Sequence, residues 1–329
     1  MPITQPGILL LSGLPASGKT TYAKEWVKLA PPEQSERINY DELRVELYGE
    51  GWRFNYKEEA AMKAQAVAMA SEALKAQKSV VIDNTNLTPR ARKQWKDLAI
   101  RLGAAYEEHE IDTSVAECVR RDRLREGKAR VGRAVIERMA LFNGWIDWTD
   151  YEGEFVICDV DGTLADCGHR LHHIKPTLTH KLDCTWKPTP LLVAPMQCPQ
   201  CGRKPQKDWD AFFAACKDDT PIAPIVSLAG MLVDACYTLI IVSGRPVDQC
   251  GKATEGWLDA LESSASCYTH LFMRGGPHDH RPDYEVKQEI LDLLPKERIA
   301  YVIDDRPQVL RMWQANGLTT LAVGTLKEF

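Results

Sequence analysis

Residues 8–20 read ILLLSGLPASGKT: an apolar run, a glycine-bearing turn and the entry to TYAKEWVKLA (21–30). In that segment apolar residues recur at helical spacing until Pro31 and Pro32 stop them. Gly13 to Thr20 fits GxxxxGK[ST] between a strand and a helix, the context in which this spacing carries chemistry. Gly13, Ser17 and Gly18 allow the backbone to curl so that its N–H groups and the helix N-terminus face phosphate oxygens. Lys19 then reaches the β- and γ-phosphates, and the Thr20 hydroxyl can hold Mg²⁺.

Outward from this loop the chain alternates. An Ala-rich helical segment at about 57–77 precedes SVVID (79–83), NTNLTPRARKQW (84–95) leads into another helix, and 104–111 reads as a strand. Such alternation predicts an α/β unit with a parallel sheet. In INYDELRVEL (38–47), Asp41 and Arg44 stand one helical turn apart on one face. A carboxylate there can take the proton of a hydroxyl nucleophile and an arginine can clamp a phosphate, although a helix-capping Asp with a surface Arg gives the same pattern. Asp83, ending its strand, suits either Mg²⁺ or a turn cap. From 120 to 133, RRDRLREGKARVGR holds seven basic residues and two acidic ones. Arg121 and Arg125 are spaced for a helical lid over a triphosphate, or for a solvated face.

The polar stretch DWTDYEGEF (147–155) breaks the pattern, dividing the chain into domains at 1–148 and 154–329. The second opens with FVICDVDGTL (155–164), where Asp159 and Asp161, two apart, are expected on one face of a strand end and aimed by the turn at Gly162. One carboxylate can attack phosphorus while the other protonates the leaving oxygen and then activates water, with Mg²⁺ offsetting the crowded charge. Further strands, YTLIIVSGR (237–245) and IAYVIDD (299–305), end in polar groups, as a second parallel sheet with functional strand ends would.

DVDGTL resembles the first motif of the haloacid dehalogenase-type phosphatases. Ser243, Lys287 and the pair Asp304 and Asp305 follow in the order of that family's remaining motifs. The chain as a whole resembles the bifunctional bacteriophage polynucleotide 5′-kinase/3′-phosphatases, through GLPASGKTT, YDELR, VVIDNTNLTPRARKQW, the arginine-rich segment, DVDGTLAD, IVSGR and IDDRPQVLRMW. The resemblance implies a P-loop kinase domain followed by a Rossmann-like phosphatase domain. It assigns Asp41 as general base, Arg44 to the acceptor-side phosphate and Arg125 to the donor. Asp159 becomes nucleophile and Asp161 acid/base, supported by Arg170, Ser243, Arg245, Lys287, Asp304 and Asp305, with Mg²⁺ on Asp159, Asp161, Asp304 and Asp305. It also implies ATP as donor, DNA or RNA ends as substrates, action on 2′,3′-cyclic phosphates, homo-oligomers and a ligase downstream.

Residues 174–207 depart from that pattern as a Pro-, Lys- and Cys-rich insertion. His180, Cys184, Cys198 and Cys201 could form a structural zinc site, with His169, His172 and His173 as alternatives for one ligand. Other cysteines, among them Cys118, Cys158 and Cys236, lie in apolar contexts that predict buried small hydrophobes.

The 329 residues carry 41 Lys+Arg against 46 Asp+Glu, a net charge of −5 that argues against a uniformly basic nucleic-acid coat. The acidic excess falls in the second half, since residues 1–150 hold 23 basic and 22 acidic side chains. With 44% hydrophobic residues the chain can build two cores, and it has neither a membrane-length apolar run nor a secretory leader, so a cytoplasmic protein is expected. Two rival functions remain at this level: the same chemistries on a small nucleoside or sugar, and an ATP-switched protein that binds nucleic-acid ends.

Overall fold

In the computed structural model the described residues are 6–31, 33–175, 197, 200–204, 206–276 and 279–324. They divide into two compact units, one of residues up to Val131 with Met139–Ile146, the other of Gly132–Arg138 with Asp147 onward.

The first unit runs β1 (Gly7–Ser12), α1 (Lys19–Leu29), β2 (Ser35–Ile38), α2 (Tyr40–Tyr48), α3 (Tyr56–Lys75), β3 (Ser79–Asp83), α4 (Pro89–Leu102), β4 (Ala105–Glu110), α5 (Val115–Arg123) and into α6 (Arg133–Phe142), which the two units share. Its four strands are all parallel in the order β2-β3-β1-β4. β1 is buried along its whole length because helices cover both faces, which is why it reads as a continuous apolar run with no alternation. Ile8 and Leu10 pack with Met62, Ala66, Ala70 and Trp95 from α3 and α4, while Leu9 and Leu11 pack with Ala23 of α1. The alanine stripe lets α3 lie close to the sheet. α4 is bounded at both ends: Thr88 Oγ1 accepts the Ala91 N–H, Pro89 opens the first turn, and Gly103 closes the helix in the left-handed conformation.

The second unit runs β5 (Phe155–Cys158), β6 (Ala165–Asp166), α7 (Trp209–Ala214), β7 (Thr220–Pro221), α8 (Ala223–Asp234), β8 (Thr238–Pro246), α9 (Val247–Asp259), β9 (His270–Arg274), α10 (Asp283–Leu291), β10 (Ile299–Asp304), α11 (Pro307–Ala315) and β11 (Thr320–Ala322). Five strands form a parallel sheet in the order β11-β10-β5-β8-β9. Because all five run the same way, the residues ending or following β5, β8 and β10 gather at one edge, where open α/β sheets bind their ligands. A separate antiparallel pair, β6 with β7, returns the chain past residue 219 to the segment after Asp161. Cys118 and Cys158 are buried as expected, whereas Cys236 is exposed, at a positive φ of 66° in the turn before β8. Among the described residues no helix is long and apolar enough to cross a membrane.

Trp95 is fully buried against the sheet and α3. We expect Trp95→Ala to cost about 3–5 kcal/mol of unfolding free energy in a denaturant titration of the chain; a loss below about 1 kcal/mol would mean that α4 does not close this core.

Candidate active sites

The loop between β1 and α1 is curled by two glycines at positive φ, Gly13 at 151° and Gly18 at 110°. A side chain at Gly13 would meet Ser17 Oγ at 2.8 Å and the Ile111 carbonyl at 3.0 Å. Inside the curl the Lys19 ammonium donates to the carbonyls of Gly13 at 2.9 Å and Leu14 at 2.6 Å and to Ser17 Oγ at 3.2 Å. Burial pushes its pKa down to about 8; nearby Arg125 adds to this and Asp83 opposes it. Thr20 Oγ1 donates to Asp83 Oδ1 at 3.3 Å, so the loop hydroxyl and the β3 carboxylate meet as a Mg²⁺-supporting pair requires. Asp83 is buried and held by Arg37 at 2.8 Å and Asn39 at 3.2 Å, neither of which the sequence pattern had singled out. Their role becomes visible only when β2 pairs with β3.

Arg121 lies over this loop, donating to the Ser17 carbonyl at 3.0 Å and to Glu117 at 2.7 Å. The expected single lid helix is interrupted. α5 ends at Arg123, a short 3₁₀ turn follows at Gly127–Ala129, and Arg125 stands in the connection with a weak bond to the Ala129 carbonyl at 3.4 Å. Gly127, at φ 56°, turns the chain there.

Asp41 occupies the first turn of α2, after Asn39, whose side chain accepts the N–H groups of Asp41 and Glu42. Asp41 is 89% exposed and receives Arg44 Nη1 at 2.5 Å. Arg44 also makes two parallel bonds to Glu59 on α3, both 2.9 Å. That fork aims the guanidinium, raises its pKa and lowers that of Glu59. Glu59 was not legible in the sequence, being contributed by a different helix.

In the second unit Asp159 and Asp161 lie beyond the end of β5, so the one-face strand geometry does not hold: the turn separates them electrostatically. Asp159 Oδ1 accepts the Lys287 ammonium at 2.7 Å, and Lys287 also reaches Asp304 at 2.9 Å and Asp283 at 3.5 Å. Asp161 Oδ1 instead faces two guanidiniums, Arg170 at 2.5 Å and Arg245 at 2.5 and 2.9 Å. Burial raises the Asp159 pKa well above the usual range despite Lys287, with Asp304 adding to the shift; burial also acts on Asp161, but Arg245 and Arg170 outweigh it and hold that carboxyl low. The same two arginines share Asp219, with bonds of 2.5–2.7 Å, and His169 Nε2 lies 2.8 Å from it. Asp219, carried there by β7, is a buried member of the site that no motif marks.

Oxygens of Asp159, Asp304 and Asp305 lie within 4.8 Å of one another. Asp305 Oδ1 is buried with no hydrogen-bond partner, and burial together with Asp304 pushes its carboxyl up to about 6. An all-carboxylate cluster with an unsatisfied buried oxygen fits a hard divalent cation such as Mg²⁺. The Asp161 carboxylate, expected in this set, is outside it because the arginines hold it. Gly162 is obligatory: its φ is +83°, and a Cβ there would stand 2.1 Å from Asp305 Oδ2. Ser243, buried within β8 where its register against β9 shifts, accepts the Arg245 N–H at 3.3 Å. Of the expected zinc ligands, His180, Cys184 and Cys198 lie outside the described residues, while Cys201 is half-buried.

Residues 8–142 match the AAA domain family, and residues 202–326 match the phosphatase domain of polynucleotide kinase PNKP. The chain joins a P-loop kinase domain to a haloacid dehalogenase-type phosphatase domain. A protein of Autographa californica nuclear polyhedrosis virus, described as a bifunctional polynucleotide kinase/RNA ligase, is 24% identical over 93% of this chain and 41% of its own length. The bifunctional polynucleotide phosphatase/kinase of Schizosaccharomyces pombe is 38% identical over 28% of this chain and 18% of its own. The chain thus spans less than half the length of these curated relatives. A solved chain from the Pnkp1/Rnl/Hen1 RNA repair complex is 23% identical, covering 97% of this chain and 96% of its own at a TM-score of 0.38.

In the phosphatase domain Asp159 and Asp161 line a cleft of about 450 Å³. Its described walls include the aromatic side chains of Trp209, Phe212 and Phe213 and the cationic ones of Arg274, Arg281 and Arg306. Arg170 and Arg245, which as candidates could either grip substrate phosphate or lie at the surface, are fully buried and bonded to Asp161 and Asp219 rather than lining this cleft. Asp219→Asn removes one of the two carboxylates that neutralise them. We expect it to lower stability by about 3–5 kcal/mol in a denaturant titration; a change within about 0.5 kcal/mol would show that Asp161 alone suffices.

Proposed function

We propose that the chain heals nucleic-acid ends: it phosphorylates 5′-hydroxyls of DNA or RNA from ATP and removes 3′-phosphates, 2′,3′-cyclic phosphates included. The observation that carries this reading is the cleft over Asp159, whose aromatic and arginine walls suit a phosphorylated nucleotide end. The polynucleotide activities named for the two relatives support the same substrate class. In this reading residues 1–148 are the kinase part and 154–329 the phosphatase part.

On the kinase side, Lys19 and Arg121 at the loop, with Arg125 beside them, offset charge on the transferring phosphoryl. Gly13, Ser17 and Gly18 shape the cradle, and Thr20 with Asp83 would hold Mg²⁺. Asp41 takes the proton of the attacking hydroxyl. Arg44, braced by Glu59, orients the acceptor through its adjacent phosphate.

On the phosphatase side, Asp159 attacks phosphorus and the leaving oxygen departs with a proton from Asp161, which takes that proton up once the substrate's phosphate charge offsets Arg170 and Arg245. Asp161 then takes a proton from the water that cleaves the aspartyl phosphate, releasing inorganic phosphate and a 3′-hydroxyl. Lys287 offsets charge at Asp159, and Ser243 donates to a phosphoryl oxygen. Arg170 and Arg245 are positioning residues that orient Asp161. Mg²⁺ on Asp159, Asp304 and Asp305 would supply further positive charge to the phosphoryl oxygens. The products, 5′-phosphate and 3′-hydroxyl, are the ends a nucleic-acid ligase consumes.

Incubating the protein with ATP, Mg²⁺ and an oligonucleotide bearing 5′-OH and 3′-phosphate, and resolving both ends by mass, tests this. We expect Asp41→Asn to abolish only the 5′ gain and Asp159→Asn only the 3′ loss. No change at either end by folded wild-type protein would eliminate the polynucleotide reading and leave small hydroxylated acceptors.

A structural zinc on His180, Cys184, Cys198 and Cys201 is the reading supported by their sequence spacing. Metal analysis of the purified protein is expected to find about one zinc per chain, lost in the double variant Cys198→Ser/Cys201→Ser; a metal content unaffected by that variant would refute it.

A further inference from the structure

The connection from α2 to α3 reads YGEGWRFNY over residues 48–56, four aromatic side chains in nine residues. Their rings form a continuous series. Tyr48 and Trp52 stack at 5.9 Å, Trp52 meets Phe54 edge-on at 6.1 Å, and Phe54 meets Tyr56 edge-on at 4.8 Å. The inner end is fixed to the kinase domain. Tyr48 packs against its core and donates through its hydroxyl to the Glu58 carbonyl at 2.9 Å, and Trp52 Nε1 donates to Glu58 Oε2 at 2.6 Å. The outer end is not buried: Phe54 is 53% exposed and Tyr56 66%. Neighbouring large aromatics left open to water in this way mark a binding surface more often than a folding requirement.

The series also has a fixed relation to the acceptor pair. Arg44, which bonds Asp41 at 2.5 Å, lies 5.9 Å from the Trp52 ring and 6.0 Å from the Tyr40 ring. One guanidinium therefore joins the carboxylate assigned as base to the first rings of the series. Exposed Arg53 stands between Trp52 and Phe54 in sequence and exposed Lys57 follows Tyr56; of the acidic neighbours, Glu58 and Glu59 are engaged by Trp52 and Arg44, and Glu50 is exposed. Aromatic faces with cations beside them, leading away from the carboxylate proposed to activate the hydroxyl, suit a single-stranded polynucleotide: bases stack on rings and phosphates meet cations.

We propose that the Tyr48–Tyr56 segment is the platform on which the first nucleobases of a single-stranded 5′-hydroxyl acceptor stack, with Phe54 and Tyr56 its outer contacts. This rests on the kinase reading above and adds the part of the acceptor that is recognised, its bases beyond the reacting hydroxyl. A preference for polynucleotides over small alcohols follows, because only a chain with bases reaches the outer rings.

The test measures 5′-phosphorylation kinetics with a single-stranded oligonucleotide and with the same oligonucleotide made abasic at its first three positions. Wild type, Phe54→Ala and Tyr56→Ala are compared, and 3′-phosphate removal by each protein serves as the control for folding. With the normal acceptor each substitution is expected to raise KM about tenfold with kcat little changed. The abasic acceptor should raise the wild-type KM by at least as much and should show no further loss with either variant. Equal KM values for wild type and variants, or for normal and abasic acceptors on wild type, would overturn the platform. So would unchanged KM values accompanied by a smaller sedimenting species in the variants, which would make these rings a contact between copies of the chain. If one variant fails the folding control, the other and the acceptor comparison on wild type still decide. Failure of wild type to phosphorylate either oligonucleotide while it removes 3′-phosphate would remove the kinase reading itself, and the platform with it.

Discussion

The catalytic edge of the phosphatase domain depends on one buried ammonium. Lys287 lies between Asp159, Asp304 and Asp283, all at least nine-tenths buried. Burial disfavours the charged lysine, but the three carboxylates more than compensate and hold its pKa well above the ordinary value. The compensation is not complete in the other direction. Asp159 remains raised, Asp305 sits at about 6, and Asp305 Oδ1 has no partner, so the cluster carries more negative charge than Lys287 offsets. A divalent cation on the same oxygens, as in the proposed function, would restore the balance.

Lys19 shows the same side chain under the opposite condition. Its contacts are two carbonyls and a hydroxyl, which bring dipoles but no full charge, so burial dominates and the pKa falls to about 8. Asp83 acts on Lys19 from nearby without bonding it, whereas three carboxylates surround Lys287 directly. In the proposed function a nucleotide triphosphate would supply the charge that Lys19 does not bond, at the backbone curl that Gly13 and Gly18 enforce.

What could be read from the sequence was what is local along the chain. The phosphate loop, the aspartates after β5 and the acidic pair ending β10 each occupy a few consecutive residues beside an apolar strand, so strand and turn chemistry place them. Residues that complete the sites through tertiary pairing were not readable. Glu59 reaches Arg44 from α3, Arg37 reaches Asp83 across paired strands, and Asp219 reaches Asp161's arginines through the two-residue pairing of β6 and β7. Charge density likewise did not imply helix continuity: α5 stops at Arg123 before Gly127 turns the chain, and Arg125 lies outside the helix that its spacing suggested.

In the proposed function Asp41 and Asp159 do different work, and their surroundings differ accordingly. Asp41 is 89% exposed, as suits a group that has only to accept a proton from an alcohol arriving with a large solvated substrate. Asp159 is 4% exposed, as would suit the nucleophile of the proposed function, whose phosphoryl adduct would have to meet only an activated water. Neither carboxylate can distinguish a polynucleotide from a small molecule, since a hydroxyl or a phosphate monoester is the same group in both. Discrimination must therefore come from surfaces that begin where the reacting atoms end. The kinase domain offers exposed rings beyond Arg44, and the phosphatase domain offers aromatic and arginine walls above Asp159. Each combines π faces with fixed cations, the pairing that rewards a ligand for carrying both bases and phosphates.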